Sequence, residues 1–263
     1  MVVASLSIGA LVGILLSGGF VWWQVGRYAT PQVPVSLFDE RKEVFAYTAG
    51  LFVGVPLAVA AVLYFISLAN GAWPGALLFL GGLVVSTEVA QWALLRTRFW
   101  GRSESGPFYA LGYRAAIGGI IALALVAEYL GGPAIALAGV ALVVVQAIAI
   151  VALEVAGALL SIRGGAPGVP PSGGPLPGAI FAAIGFFLLG LGTLGGEAAA
   201  FGGALVALFG AALVYRRLQP MLSAIPAPGA SGPPPGPLAP SAYRRTAEPL
   251  PSAPEGNAPR EPR

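Results

Sequence analysis

Three ionisable residues interrupt hydrophobic stretches that otherwise carry almost no charge, and their types could do chemistry. Glu88 lies in the stretch STEVAQWALLR, Glu154 lies in the similar stretch LEVAGALLSIR, and Arg114 lies in a stretch between the two. A lone charged side chain at the centre of a bilayer costs about 2.5–3.5 kcal/mol on insertion scales. We therefore expect Arg114 to pair with one or both glutamates inside a bundle of helices.

The three residues are also predicted to lie at one depth. Glu88 and Glu154 stand eight and nine residues before the arginines that follow their stretches, and Arg114 stands about as far into its own stretch. At about 1.5 Å per residue, each would lie roughly 10–14 Å from the cytoplasmic boundary of the hydrocarbon. Glu88, Arg114 and Glu154 are thus the predicted site, an intramembrane charge cluster.

Four polar residues are candidate accessory members of this site. Gln91 lies one helical turn from Glu88 on the same face and is a candidate partner. Tyr47 and Tyr113 begin their stretches and are expected to approach from the cytoplasmic side. The hydroxyl of Thr87 either joins the cluster or bonds back to its own helix.

Two carboxylates that share one guanidinium leave one carboxylate without a counter-charge, so that the pair could share one proton. This arrangement suits a proton-coupled permease. A purely structural interpretation stays open, in which the ion triad only ties three helices together.

The composition excludes several kinds of site. The chain has no Cys and no His, which removes thiolate nucleophiles, histidine-bound haem and the usual zinc sites. The sole lysine, Lys42, lies outside the predicted spans, so that no lysine is placed to bind retinal. Asp39 is the sole aspartate and lies in a predicted loop, and no phosphate-binding G-x-x-x-x-G-K occurs. We expect no cofactor and no metal, and an enzyme is the less favoured class.

The elements that must position the cluster are predicted from hydrophobicity. Hydrophobic residues make up 57% of the 263 residues and charged residues only 10%, whereas soluble domains are about one quarter charged. Seven apolar segments are long enough to cross a hydrocarbon core of about 30 Å as helices. They run approximately over 2–25, 45–69, 73–95, 107–130, 133–161, 178–194 and 197–215. The predicted fold is an all-α, polytopic membrane protein with a seven-helix transmembrane bundle.

The basic residues predict the orientation of this bundle. All of them except Arg114 lie before span two, between spans three and four, or after spans five and seven. The positive-inside rule then places the N-terminus outside and the C-terminus in the cytoplasm of a prokaryotic cell. The connections after spans two, four and six are very short, which predicts three tight outer hairpins.

The chain is predicted to divide into a transmembrane domain, residues 1–219, and a tail, residues 220–263. The tail holds 13 prolines in 44 residues and few large apolar groups, so that we expect a disordered cytoplasmic segment. The charged run Asp39–Glu43 is expected to be a solvated loop, with a short interfacial helix as the alternative. The acidic residues Glu128 and Glu197 are expected to be solvated at the outer surface, with an outer mouth for a cation or substrate as the alternative.

Repeated spacings suggest how the helices pack. An offset of 66 residues aligns Tyr47 with Tyr113 and Glu88 with Glu154, which suggests a duplicated helical hairpin, 45–96 and 111–162. The small-residue pairs Gly9/Gly13 and Gly50/Gly54 and the pair Gly118–Gly119 are typical of closely packed membrane helices.

The leading functional hypothesis is a permease-like bundle that moves protons, ions or a small solute through the Glu88–Arg114–Glu154 cluster. One alternative is a non-catalytic subunit or scaffold that binds a protein partner through its cytoplasmic loops or tail. Another is a lipid-modifying enzyme. We expect the lipid bilayer to surround the protein. The basic residues are explained by the membrane topology, so that we expect no nucleic-acid partner. No oligomeric state is predicted.

Overall fold

The described part of the computed structural model comprises residues 2–26, 40–96, 106–130, 137–162 and 175–223, and all that follows concerns these ranges. Their regular secondary structure is entirely helical. The helices are α1 (Val2–Gln24), α2 (Glu40–Ala69), α3 (Trp73–Arg96), α4 (Gly106–Leu130), α5 (Leu137–Ile162), α6 (Leu176–Leu194), α7 (Glu197–Leu218) and α8 (Pro220–Ser223). Seven of them are long and apolar enough to cross a membrane, which confirms, for the described residues, the all-α class and the seven predicted apolar helices.

The surface of the bundle is apolar, as the surface of a membrane protein must be. Large hydrophobic side chains point outward on every side, among them Trp22 at 83%, Phe52 at 76% and Leu78 at 73% exposure. The fully buried residues include an arginine and two glutamates. Lipid is the solvent in which this distribution is favourable, because apolar side chains cost nothing there and charges are expensive.

Helix α4 is the central element, and it packs against α1, α2 and α5. Nearly all of its residues from Phe108 to Gly119 are buried. The predicted small-residue pairs bring the neighbours close: a Cβ added at Gly9 would lie 2.6 Å from the Leu123 carbonyl oxygen, and one at Gly50 would overlap the Tyr113 carbonyl oxygen. The close packing predicted from these glycines is therefore confirmed.

Contacts along the helices show that α4 runs antiparallel to α1 and α5 and parallel to α2. Gly9 and Gly13 of α1 face Leu123 and Gly119 in reversed order, whereas Gly50 and Gly54 of α2 face α4 in the same order. We call the end at which α2 and α4 begin the basic end. It carries Arg41, Arg96, Arg216 and Arg217.

Three connections between helices lie within the described ranges, and one of them is the single residue Gln219 between α7 and α8. α2 and α3 are joined through Asn70–Ala72, and α6 and α7 through Gly195 and Gly196. Gly71 and Gly196 have φ angles of +71° and +84°, which a side chain would disfavour, so that glycine suits both turns. The third predicted hairpin turn, between α4 and α5, lies outside the described residues.

Several helix limits differ from the predicted ones, and the differences at α2 and α7 are the most informative. α2 begins at Glu40 rather than at residue 45, so that most of the charged run expected to be a loop is the first turn of a helix. α7 continues to Leu218, and the first four residues of the predicted tail form α8, whose Leu222 is buried. Residues 224–263, the rest of the tail, lie outside the described residues.

Candidate functional site

Arg114 is the largest fully buried side chain among the described residues, and both predicted glutamates meet it. Its Nη1 atom donates a hydrogen bond of 2.9 Å to Oε1 of Glu88 on α3. Its Nε atom lies 2.7 Å from Oε2 of Glu154 on α5. The side chains of Arg114, Glu88 and Glu154 are 0%, 4% and 1% exposed, so that the cluster is closed to solvent.

Glu88 is held through both carboxylate oxygens. While Oε1 accepts the bond from Arg114, Oε2 accepts a hydrogen bond of 2.7 Å from the Ser161 hydroxyl on α5. The Ser161 oxygen also lies 3.0 Å from the Gly157 carbonyl oxygen, one turn earlier on its own helix. Hydrogen bonds to a charged group are worth about 1.5–3 kcal/mol each, so Glu88 is firmly positioned.

Glu154 is held less completely. Its contact with Arg114 is an ion pair. The N–H of Arg114 Nε does not point at Oε2 of Glu154 closely enough for a hydrogen bond. Within the described residues, neither of these two atoms has a hydrogen-bond partner. The two glutamates therefore differ in environment. Glu88 is the well-bonded counter-ion of Arg114, and Glu154 is the carboxylate with fewer bonds.

Two glycines make room for the cluster where α5 and α6 meet. A Cβ added at Gly157 would lie 2.9 Å from Nη2 of Arg114. A Cβ added at Gly178, in the first turn of α6, would overlap the Ser161 oxygen and lie 3.1 Å from Oε1 of Glu88. Any larger residue at Gly178 would separate α6 from α5 or move the side chains that hold Glu88.

Two polar groups around the cluster stay unpaired. The Nη2 atom of Arg114 has no hydrogen-bond partner among the described residues. The side chain of Gln91, which is 1% exposed, has none for either its oxygen or its nitrogen. Gln91 was predicted as a partner of the cluster; it is buried on the same helix as Glu88 but is not bonded to it. Both groups can bind a further polar group.

The other predicted accessory residues do not bond to the cluster. The Thr87 hydroxyl donates to the Leu83 carbonyl oxygen of its own helix at 2.7 Å. The Tyr47 hydroxyl pairs with Ser17 on α1 at 2.8 Å. Tyr113, which precedes Arg114 in the sequence, is buried. Within the described residues, no hydrogen bond joins its hydroxyl to either glutamate.

A further buried carboxylate, Glu43, was not predicted. It lies in the first turn of α2 at 6% exposure, its Oε2 atom has no hydrogen-bond partner in the described ranges, and its carboxylate lies directly against Gly112 of α4. Its spacing could have revealed it, because Glu43, Ala46, Gly50 and Gly54 fall on one face of a helix. That face packs on α4.

Ser161 was also missed, although its position follows from helix periodicity. Glu154, Gly157 and Ser161 are spaced by three and four residues and so share one face of α5. A hydroxyl two turns after a buried carboxylate is a candidate partner on that face. The identity of its actual partner, Glu88 on α3, required the packing of the helices.

Comparison of the chain with protein-family models, with curated proteins and with solved structures found no match. The geometry of the cluster is therefore the basis of the functional proposal.

Proposed function

We propose that the protein is a multi-pass membrane permease of the prokaryotic cell membrane that carries protons through the Glu88–Arg114–Glu154 cluster. The observation that supports this proposal is the charge balance of the buried site. Two carboxylates face a single guanidinium in an environment closed to solvent. Because an uncompensated charge is costly there, the cluster takes up one proton to become neutral.

Glu154 is the proton carrier in this proposal, and Glu88 is the lasting counter-ion. Glu88 accepts two aligned hydrogen bonds, from Arg114 and Ser161, and both favour its ionised form. Glu154 has only the ion pair with Nε of Arg114. Removal of the proton from Glu154 would strengthen its attraction to Arg114, so that proton binding and the position of the arginine are coupled.

Ser161 supplies the proton entry route. It is partly exposed, whereas Glu88 and Arg114 are buried, and it lies in the last turn of α5 at the basic end. A hydroxyl can accept a proton from one side and donate one to the other. Because Ser161 bonds to Glu88, the proton would pass through Glu88, which is protonated only transiently, and would come to rest on Glu154. With the basic end in the cytoplasm, as proposed from the positive-inside rule, the route opens to the cytoplasm.

Proteoliposomes that contain a pH-sensitive dye test this function. A potassium gradient with valinomycin would drive proton entry, and we expect flux above that of empty liposomes. Glu154→Gln should reduce the flux at least about tenfold, since the amide cannot release a proton. Glu197→Gln, which removes an exposed carboxylate at the start of α7, should leave it unchanged. Equal flux in Glu154→Gln and wild type would refute the proposal.

A structural role of the triad in a scaffold subunit is the second candidate, and the complete enclosure of the three side chains favours it. The scaffold hypothesis predicts that wild type gives no flux above empty liposomes. It also predicts a protein partner that co-purifies with the full chain and is lost when residues 224–263 are deleted.

A further inference from the structure

A second candidate site, mostly apolar with a few polar side chains, lies on the other side of the cluster, away from the basic end. A cavity of about 160 Å³ opens between α2, α4, α5 and α6. Its walls include the carboxylate residue Glu128, the aromatic residues Phe65 and Tyr129, Gln146, and Thr193. At about 30 Å³ per water in the liquid, this volume corresponds to roughly five waters, which is enough for a small organic molecule.

The cavity is aligned with the cluster along one face of α5. Gln146 and Ile150 line the cavity, and Glu154 follows one turn later. Successive spacings of four residues place Gln146, Ile150 and Glu154 on the same face, and Ser161 ends this face at the basic end. Ile150, which is buried at 1% exposure, lies between Gln146 and Glu154 on this face of the helix.

Two polar side chains of the cavity have no partner within the part of the chain that the structure describes. Glu128 is exposed and makes no ion pair or hydrogen bond there. Gln146 lies near the middle of α5, is half-buried and likewise makes no hydrogen bond to the described residues. A primary amide in the middle of a membrane helix is costly unless it faces a polar neighbour or a ligand.

We propose that this cavity binds a small organic ammonium ion. The Glu128 carboxylate supplies the opposite charge, and the Gln146 amide oxygen can accept a hydrogen bond. Phe65 and Tyr129 offer aromatic faces, which attract ammonium groups by the cation–π interaction. Among the described residues, no lysine or arginine lines the cavity, which disfavours an anion. A divalent metal is disfavoured because Ca²⁺ requires six to eight oxygen ligands.

The assignment of this ammonium ion as the transported substrate rests on the proposed function, whereas its binding does not. In the combined account, the ion enters the cavity from the end opposite the basic end, and the proton occupies Glu154 one turn beyond the cavity. Binding and proton uptake are measured separately, so that either can fail without the other.

Equilibrium dialysis of radiolabelled trimethylammonium, which carries one N–H group, against the full chain in nanodiscs, in potassium chloride buffer, tests the site. We expect saturable binding that unlabelled trimethylammonium displaces and that tert-butanol, a neutral molecule of similar size, does not. Glu128→Gln should weaken binding about tenfold, which corresponds to about 1.4 kcal/mol. Gln146→Leu should also weaken it. Glu197→Gln is the matched control, since it removes another exposed carboxylate outside the cavity, and should bind as wild type.

Three results would overturn the proposal. The first is the absence of saturable binding by the wild-type protein. The second is equal weakening by Glu128→Gln and Glu197→Gln, which would show a general surface-charge effect. The third is unchanged binding in Gln146→Leu, which would place the ion outside the cavity. Proton flux in proteoliposomes without any ammonium ion reports on the cluster alone and separates its failure from that of the cavity.

Discussion

The Ser161 hydroxyl on α5 donates a hydrogen bond of 2.7 Å to Oε2 of Glu88 on α3, which joins two helices that are distant in the sequence. Oε1 of the same carboxylate accepts from Arg114 on α4. Glu88 therefore connects three helices through one carboxylate, and the positions of α3, α4 and α5 depend on it.

Replacement of Ser161 by Ala should lower the free energy of unfolding by about 1.5–3 kcal/mol, the range for a hydrogen bond to a charged group. Thr48→Val is the control, because within the described ranges the Thr48 hydroxyl bonds only to the Val44 carbonyl oxygen of its own helix. Unfolding by SDS in mixed micelles gives both values. If Ser161→Ala is as stable as Thr48→Val, the bond does not hold Glu88.

Arg114→Gln should be among the most destabilising single substitutions in the chain. It leaves two buried carboxylates without a counter-charge, and breaking a buried ion pair costs about 3–5 kcal/mol. The yield of folded, monodisperse protein in detergent measures the effect.

The rescue variant for Arg114→Gln carries Glu88→Gln and Glu154→Gln as well, which removes all charge from the cluster. We expect this triple variant to regain most of the lost stability. Arg217→Gln, at the exposed end of α7, serves as the control and should fold normally. A triple variant no more stable than Arg114→Gln would contradict the charge argument.

Close packing beside the cluster predicts opposite effects for two glycines. In Gly178→Ala the new methyl group would meet the Gly157 carbonyl oxygen at 2.5 Å as well as Ser161, which should cost about 1–3 kcal/mol. In Gly202→Ala, on α7, the methyl group meets nothing within 4 Å and should add about 0.5–1 kcal/mol through helix propensity. Thermal unfolding of both variants checks the pair; equal melting temperatures would show that α5 and α6 do not approach as described.

The orientation can be mapped directly because the chain lacks cysteine. Asn70→Cys, in the turn between α2 and α3, should react with a membrane-impermeant maleimide in intact cells. Ser252→Cys, in the C-terminal segment, should react only after the membrane is permeabilised. The opposite result would reverse the topology and place the Ser161 route on the outside.

Sequence reasoning reached the main features because membrane helices follow simple rules. Length and hydrophobicity were sufficient for the seven helices, and the cost of a lone buried charge was sufficient to bring Arg114 together with Glu88 and Glu154. The hydrogen-bond partners of the other polar residues depend on which helix faces pack against each other. Gln91 has the correct spacing to join the cluster, but its amide is not bonded to it, since periodicity places a residue on a face without naming its neighbour.

Glu43 shows a second limit of sequence reasoning. A run of alternating charges is typical of solvated loops, and Glu40–Glu43 has that composition. α2 nevertheless begins there, and Glu43 lies on the face that packs against α4. An outer cation or substrate mouth at Glu128 was only an alternative in the sequence analysis. The walls of the cavity beside it could not be predicted, because they come from four helices whose relative rotation only the folded structure provides.

Infrared spectroscopy of the purified protein in nanodiscs tests the central claim most directly, because a protonated carboxylic acid has a C=O band that a carboxylate lacks. At neutral pH the wild-type protein should show such a band, and Glu154→Gln should lose the component that belongs to the cluster. Glu43 is buried as well and contributes a component of its own, which Glu43→Gln removes while the Glu154 component stays. Glu197→Gln should leave the band unchanged. A Glu154→Gln spectrum that superimposes on the wild-type spectrum would show that the cluster holds no proton, contrary to the proposed mechanism.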